Sequence, residues 1–256
     1  MHSGIVYEQP LNERVRTFLR MEFLFNQTDH YIDGISEWDT RSALNSLLDI
    51  TELLSRTDIK LDLIKELEKH SSTLSVLNKN PGVDIERLNN IHMNISNYLE
   101  KLRDNNCQPG QSLRQSELIS SLKQRNAILG GSCNFDLPAY HQWLHRSAEN
   151  KRKSLIEWQN DLVITKHSLA FSLSLLRNST NPTFEKANNG FFQKSLEQNS
   201  NCQLIRIILQ PDAMDFPEIS AGKHRFTVRM MEQLDTSARP SQVESDVDFE
   251  LHCCIL

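Results

Sequence analysis

At Asn181-Pro182 the hydrophobic period of the chain changes, and no single regular architecture fits both sides. Before it, apolar residues recur every three to four positions, as on a helix buried along one face. After it the period is two, the repeat of a strand. In CQLIRIIL at 202–209 only Gln203 and Arg206 interrupt an apolar run, the pattern of a central strand. Residues 224–230 alternate, with His224, Phe226, Val228 and Met230 on one face and Arg225, Thr227 and Arg229 on the other. Residues 246–253 set Val247, Phe249, Leu251 and Cys253 against Asp246, Asp248, Glu250 and His252. A basic face beside an acidic one suits a cross-strand pair, each contact worth roughly 0.2–1 kcal/mol. GIVYEQ at 4–9 reads as a further strand ended by Pro10. It has no strand neighbour in the helical stretch, and a lone strand is unstable, so it is expected to join the C-terminal sheet. The expected fold class is α+β. A mostly α-helical bundle domain covers 11–180, and a smaller antiparallel β-sheet domain takes 1–10 and 181–256.

Caps and breakers divide the helical stretch. Asn12 caps a helix over about 13–27, with Glu13 in its first turn and Phe18 and Phe25 among Arg14, Arg16 and Arg20. Residues 28–38 read as a loop around Asp33-Gly34. A helix capped near Asp39 or Thr40 carries Leu44, Leu47, Leu48 and Leu54. The next, capped by Thr57 or Asp58, carries Leu61, Ile64, Leu67, Leu74 and Leu77. Pro81-Gly82 breaks the chain, and Asp84 opens a helix with the stripe Leu88, Ile91, Ile95, Tyr98 and Leu102. Pro109-Gly110 breaks it again before a helix over about 113–127. The longest helix is expected over about 148–178, where Leu155, Leu162, Leu169 and Leu176 recur every seven residues. That stripe is either the core of the chain's own bundle or a seam between two chains.

Composition narrows the function classes. No apolar run approaches the roughly 18–20 residues that span a bilayer, so no membrane insertion is expected. The N-terminus lacks a basic region followed by an apolar one, so no secretory signal is expected. Five cysteines without repeating spacing fit a reducing compartment. Residues 232–256 hold six acids against Arg239 alone, a balance equal to the net charge of −5 of the whole chain. The rest is neutral on balance, so the chain lacks the basic surplus of a nucleic-acid binder.

GGSCNFDLPAYHQWLH at 130–145 has the densest structural punctuation. Gly130-Gly131 allows an unusual turn, Asp136 is placed to cap a helix, and Pro138 suits its first turn. The helix then presents Tyr140, His141, Trp143, Leu144 and His145, either as a buried corner or as a docking point for a small acidic or apolar group. Two chemical readings centre here. His141 and His145, four apart, can face one metal with Cys133 and Asp136 nearby; Cys133 with His141 is a possible nucleophilic pair. No CxxC, HExxH, P-loop or GxGxxG accompanies them. The terminal CCIL fits a prenylation box on Cys253, but that cysteine continues the alternation of a strand and acidic residues precede it.

Several blocks together resemble the ZapD family of bacterial cell-division proteins: PLNERVRTFLRMEFL at 10–24, PGVDIERL at 81–88, GQSLRQSELI at 110–119, the 130–145 block, NGFFQ at 189–193, KHRFTVRMM at 223–231 and VDFELHCC at 247–254. They span almost the whole chain in order. The resemblance implies a homodimer in the cytoplasm, at the mid-cell division ring, with a helical and a β domain. It implies binding to the C-terminal tail of FtsZ, cross-linking of FtsZ filaments, no enzymatic activity and no cofactor. It assigns tail contacts to Arg20, Arg114, His141 and Arg225. The chain departs from the family after Arg114, where Gln115-Ser116-Glu117 supplies no second basic residue. The alternative reading is a small metal- or Cys/His-dependent enzyme centred on Cys133, Asp136, His141 and His145.

Overall fold

A computed structural model describes residues 4–77, 84–196, 201–222 and 224–256, with the side chain of Leu77 left aside. The expected break at Pro81-Gly82 lies outside them. In chain order the elements are β1 (Ile5–Pro10), α1 (Glu13–Ile32), α2 (Glu37–Arg56), α3 (Ile59–Leu77), α4 (Ile85–Arg103), α5 (Gln111–Gln115), α6 (Glu117–Arg125), α7 (Pro138–Leu144) and α8 (Ala148–Gln159). A 3-10 turn at Asn160–Leu162 leads into α9 (Val163–Arg177). The strands β2 (Thr183–Ala187), β3 (Phe191–Ser195), β4 (Leu204–Leu209), β5 (Asp215–Ala221), β6 (Arg225–Glu232), β7 (Ser241–Gln242) and β8 (Val247–Cys254) follow. The architecture is α+β, with the N-terminal strand in an antiparallel sheet. Two compact units result, one from residues 1–16 and 173–256 and the other from 17–172.

The helical unit follows the apolar stripes. Phe18, Met21, Leu44, Leu47, Ile50, Leu63, Leu67, Ile95 and Leu102 are all buried. Most starts are capped by a side-chain oxygen taking an otherwise orphaned N–H. Asn12 caps α1, Asp58 caps α3 and Asp84 caps α4, at 2.9–3.0 Å. Three expectations fail. The loop over 28–38 shrinks to 33–36, because α1 continues to Ile32. Its last polar residues have partners there: Thr28 donates to the Leu24 carbonyl, and Asp29 pairs with Lys166. α2 is capped by Ser36, not Asp39 or Thr40, in a reciprocal box in which Ser36 Oγ accepts from the Asp39 N–H and the Asp39 carboxylate accepts from the Ser36 N–H. The helix over 113–127 is two helices, because Ser116 leaves helical geometry and caps α6.

The long helix over 148–178 is also interrupted, by the 3-10 turn at Asn160–Leu162. Leu155, Leu162, Leu169 and Leu176 are each only 1–3% exposed within a single chain. They belong to the chain's own core, and no two-chain seam is left for them to form.

The β unit is a pair of packed four-stranded sheets. One has the order β1-β4-β8-β2; the other has β3-β6-β5, with β7 pairing β6. β4 is central and buried along nearly its whole length. Phe226, Val228 and Met230 from one sheet and Ile205, Ile207, Phe249 and Leu251 from the other fill the space between, where Phe192 meets Phe249 edge-on with ring centroids 5.2 Å apart. The expected pairing of the basic and acidic strands is therefore wrong: β6 and β8 lie in different sheets. Alternation fixes which face of a strand is buried, not which strand lies beside it. Arg229 sits opposite Glu218 and Phe191, and Asp248 opposite Lys186, whose ammonium is 3.8 Å away.

On the far face of the first sheet, Glu8 accepts two hydrogen bonds from Arg177 and one from Arg206, all at 2.8 Å. Burial pushes the Glu8 carboxyl up, but the two guanidinium groups outweigh it and hold the acid below its usual range. His252, expected on an exposed polar face, is buried there and bonds Glu250 at 2.6 Å. Cys253 is ladder-bonded opposite Ile205, and the Leu256 carbonyl accepts from Gln203. The CCIL sequence is therefore part of the sheet and its edge.

Candidate functional site

A concavity on the helical unit forms where two turns meet. One joins α2 to α3; the other is the Pro109-Gly110 break before α5. Together they line a pocket of about 540 Å³. Leu54, Ile59 and Pro109 give it an apolar side, and Arg56, Lys60 and Arg114 bring positive charge. Lys60 Nζ ties the turns together, donating to the carbonyls of Asp104 (3.1 Å) and Cys107 (2.8 Å).

Arg114 is held there by its short helix. Gly110 starts α5 in the left-handed region at φ +75°, and a Cβ on it would come within 2.9 Å of Leu54 Cδ1. Only glycine meets both demands without strain. The α5 N-terminus has no cap of its own, so Asp161 supplies one from the 3-10 turn: its Oδ2 accepts the Ser112 N–H at 2.8 Å. Ser112 Oγ donates to the Trp158 carbonyl nearby. The interruption of the long helix thus has a structural use, since it delivers the carboxylate that fixes the loop carrying Arg114. Among the described residues, Arg114 is exposed and makes no ion pair.

His141 lies elsewhere in this unit, on α7. Pro138 opens that helix as expected, but Asp136 does not cap it; Leu137 occupies the cap position without a side-chain bond. The Asp136 carboxylate instead turns toward Arg125 and Cys133, each 3.8 Å away. Gly130 adopts φ +71° in the turn before it. Tyr140 and Trp143 are buried, with Trp143 tilted against Trp158 at 5.5 Å between centroids. The Arg41 guanidinium lies 5.1 Å from the Tyr140 ring centre and 5.4 Å from that of Trp38, and it pairs with Glu37. Burial pushes the Tyr140 hydroxyl up to about 12. Glu37 is held below its usual range, chiefly by its bond to Arg41, with smaller help from His145 and His141. The corner is thus both a buried joint and a surface: Tyr140 and Trp143 are inside, while Trp38 is 74% exposed.

The four residues assigned to tail contacts are not gathered by any contact within one unit. Arg20 is exposed on α1, Arg114 lines the pocket and His141 lies tilted against His145 with centroids 4.4 Å apart. Neither Arg20 nor His141 lines the Arg114 pocket. Arg225 belongs to the β unit, where it points outward from β6 opposite Ser195. Like Arg114, Arg20 and Arg225 have no acidic partner among the described residues.

The metal and nucleophile readings gain nothing from the geometry. His145 Nδ1 is engaged with the His141 carbonyl at 2.9 Å, and Cys133 Sγ donates to the Gly130 carbonyl at 2.6 Å. Among the described residues, no group of three or more His, Cys, Asp or Glu is arranged to hold a metal ion. Sequence reasoning missed Arg56, Lys60, Trp38 and Arg41. The first two flank the α3 cap and gain meaning only when the second turn is brought against them. The last two were hidden by placing the start of α2 three or four residues too late.

The class this defines is an α+β protein with a buried-leucine helical unit and a two-sheet β unit, each carrying an exposed arginine without an acidic partner among the described residues. Comparison with known proteins makes this particular. A family profile described as ZapD, cell division protein, matches residues 19–229. The cell division protein ZapD of Methylococcus capsulatus is 40% identical over 256 residues, covering all of both chains. Those of Dechloromonas aromatica and Cupriavidus pinatubonensis are 37% and 38% identical over 98% of this chain. The chain belongs to the ZapD family of cell division proteins. No helix of its described residues is long and apolar enough to cross a membrane.

Proposed function

We propose that this protein binds the C-terminal tail of FtsZ and, as a homodimer, cross-links FtsZ filaments at the mid-cell division ring in the cytoplasm, without catalysing a reaction. Full-length membership in the ZapD family carries this reading. The geometry supports it through three exposed arginines, Arg20, Arg114 and Arg225, and through the partly exposed His141 on α7. Guanidinium groups without acidic partners are suited to capture carboxylates in a fork of charge-assisted hydrogen bonds. A disordered tail must be ordered on binding, so single contacts are weak, about micromolar. A dimer with two such sites gains by avidity on a filament that displays many tails, and that gain is what turns a weak binder into a bundling factor. Leu155, Leu162, Leu169 and Leu176 are used by the chain's own core, so this reading does not rest on them for the dimer.

Cosedimentation with FtsZ polymers tests the proposal. The chain should pellet with full-length FtsZ and form bundles visible by light scattering, and both effects should vanish with FtsZ lacking its C-terminal tail. Equal pelleting with tail-less FtsZ would contradict it.

A further inference from the structure

We propose that the pocket between the α2–α3 turn and the Pro109-Gly110 turn is a carboxylate-receiving subsite for an acidic peptide, with Arg56 and Lys60 acting alongside Arg114; this rests on the tail-binding reading above and adds two residues to it. The argument is one of unbalanced charge in a shaped space. Three cationic side chains line the pocket against one carboxylate, Asp58. That carboxylate is occupied as the α3 cap, accepting the Leu61 N–H at 3.0 Å. Lys60 is held by two carbonyls, which take two of its three N–H donors and leave its charge unmatched. Arg56 shares Glu52 with Lys123, at 2.8 and 3.2 Å, and remains largely exposed. Arg114 is unpaired among the described residues. No basic residue follows Arg114 in the chain until Lys123, so the local positive field comes from the neighbouring turn rather than from its own helix.

The pocket also has the right second half. Leu54, Ile59 and Pro109 form an apolar side next to the cations. A peptide with one acidic side chain or a terminal carboxylate beside an aliphatic residue would satisfy both, pairing the acid with Arg114 and Lys60 and covering Leu54 and Pro109. A bare phosphate would use only the charged half, and a nucleic-acid strand would need basic charge continuing beyond the pocket. Cys107 lines the same space and is a free thiol. It is a built-in reporter of occupancy.

The test uses the full chain and a synthetic FtsZ C-terminal tail peptide. Alkylation of Cys107 by iodoacetamide is followed by peptide mass spectrometry, and peptide affinity is measured for wild type, Arg20→Glu, Arg56→Gln, Lys60→Gln and Arg114→Gln. Saturating peptide should slow Cys107 alkylation in wild type. Arg114→Gln and Lys60→Gln should each weaken binding about tenfold, the loss of one charge-assisted contact, and Arg56→Gln by less. Normal circular dichroism and an unchanged melting temperature keep misfolded variants out of the comparison, and Cys107 protection by peptide is read against each variant's own peptide-free rate; Arg56→Gln, an exposed change, serves if Lys60→Gln disturbs the turns. If the peptide binds and Arg20→Glu weakens it, while Cys107 stays unprotected and the pocket variants bind normally, the subsite is wrong and the tail-binding reading stands. If wild type binds no peptide, both fall. If inorganic phosphate protects Cys107 as well as the peptide does, the pocket is a general anion site and the peptide assignment is overturned.

Discussion

Replacing Asp161 with alanine should loosen the loop that carries Arg114, and the size of the effect follows from the contacts. Asp161 Oδ2 takes the Ser112 N–H, one of the donors that a helix N-terminus leaves unsatisfied. A hydrogen bond to a charged acceptor contributes about 1.5–3 kcal/mol, and a stranded buried donor costs about 1–3 kcal/mol. Both residues are only half-buried, so water can replace part of the bond. The other carboxylate oxygen, Oδ1, is buried with no hydrogen-bond partner among the described residues, and its removal returns part of the loss. The net cost of Asp161→Ala should be about 1 kcal/mol, a fall of about 2–4 °C in melting temperature for a chain of this size. Asp161→Asn keeps an oxygen for the Ser112 N–H and should lose about half as much. Thermal unfolding by circular dichroism gives the comparison, and tail-peptide affinity should fall in the same order, Ala more than Asn. Equal losses for the two variants, or none for alanine, would refute the idea that this carboxylate holds α5.

Three further outcomes are expected. Leu169→Ala should cost about 2–5 kcal/mol, while Val163→Ala, at an exposed position of the same helix, should cost within about 0.5 kcal/mol; urea unfolding measures both, and sedimentation equilibrium of the folded leucine variant should show the same association as wild type, because this leucine is buried within a single chain. Gly110→Ala should destabilise by about 1–2 kcal/mol from the left-handed backbone alone, measured by the same unfolding, and a neutral result would mean that the turn relaxes. His70 is buried on α3 and bonds Ser172 Oγ at 2.9 Å; burial is the main cause that lowers its pKa to about 4, against smaller opposing effects that include Glu66. Its folded-state pKa is thus depressed, so the unfolded chain binds the proton first: stability is full above about pH 6.5 and falls as pH drops toward 4, by about 2 kcal/mol at pH 5 relative to pH 7. His70→Gln should remove that part of the pH dependence, and an unchanged slope would exclude His70 as its source.

Much of the fold could be read from periodicity, and the failures share a cause. Asn12, Asp58 and Asp84 were legible as caps because each precedes a clear apolar stripe. Ser36 offered the same signal, Ser-x-x-Asp, but the polar run from Thr28 to Gly34 looked like loop because the partner that keeps Asp29 helical, Lys166, is 137 residues away. The same holds at Asp161: nothing near it in sequence predicts a break, since its purpose is to cap Ser112. In the β unit the central place of β4 and the apolar inward residues Phe226, Val228, Met230, Phe249 and Leu251 were legible, whereas the neighbours of β6 were not, because β6 and β8 share a core across the sandwich rather than a ladder. The candidate site was legible where single arginines sit in recognisable blocks. Its pocket was not, because Lys60 and Cys107 meet only after two separate turns fold together.

The central claim is that exposed arginines on this chain bind the acidic groups of the FtsZ tail. Arg20 and Arg225 have no acidic partner among the described residues, so reversing either charge should leave the fold intact while replacing attraction with repulsion. Isothermal titration of the tail peptide into wild type, Arg20→Glu and Arg225→Glu decides the matter, with circular dichroism to establish that each variant is folded. The account predicts micromolar binding by wild type that weakens with salt, and affinity at least about tenfold lower, about 1.4 kcal/mol, for each folded variant. Wild-type affinity at both Arg20→Glu and Arg225→Glu would contradict it.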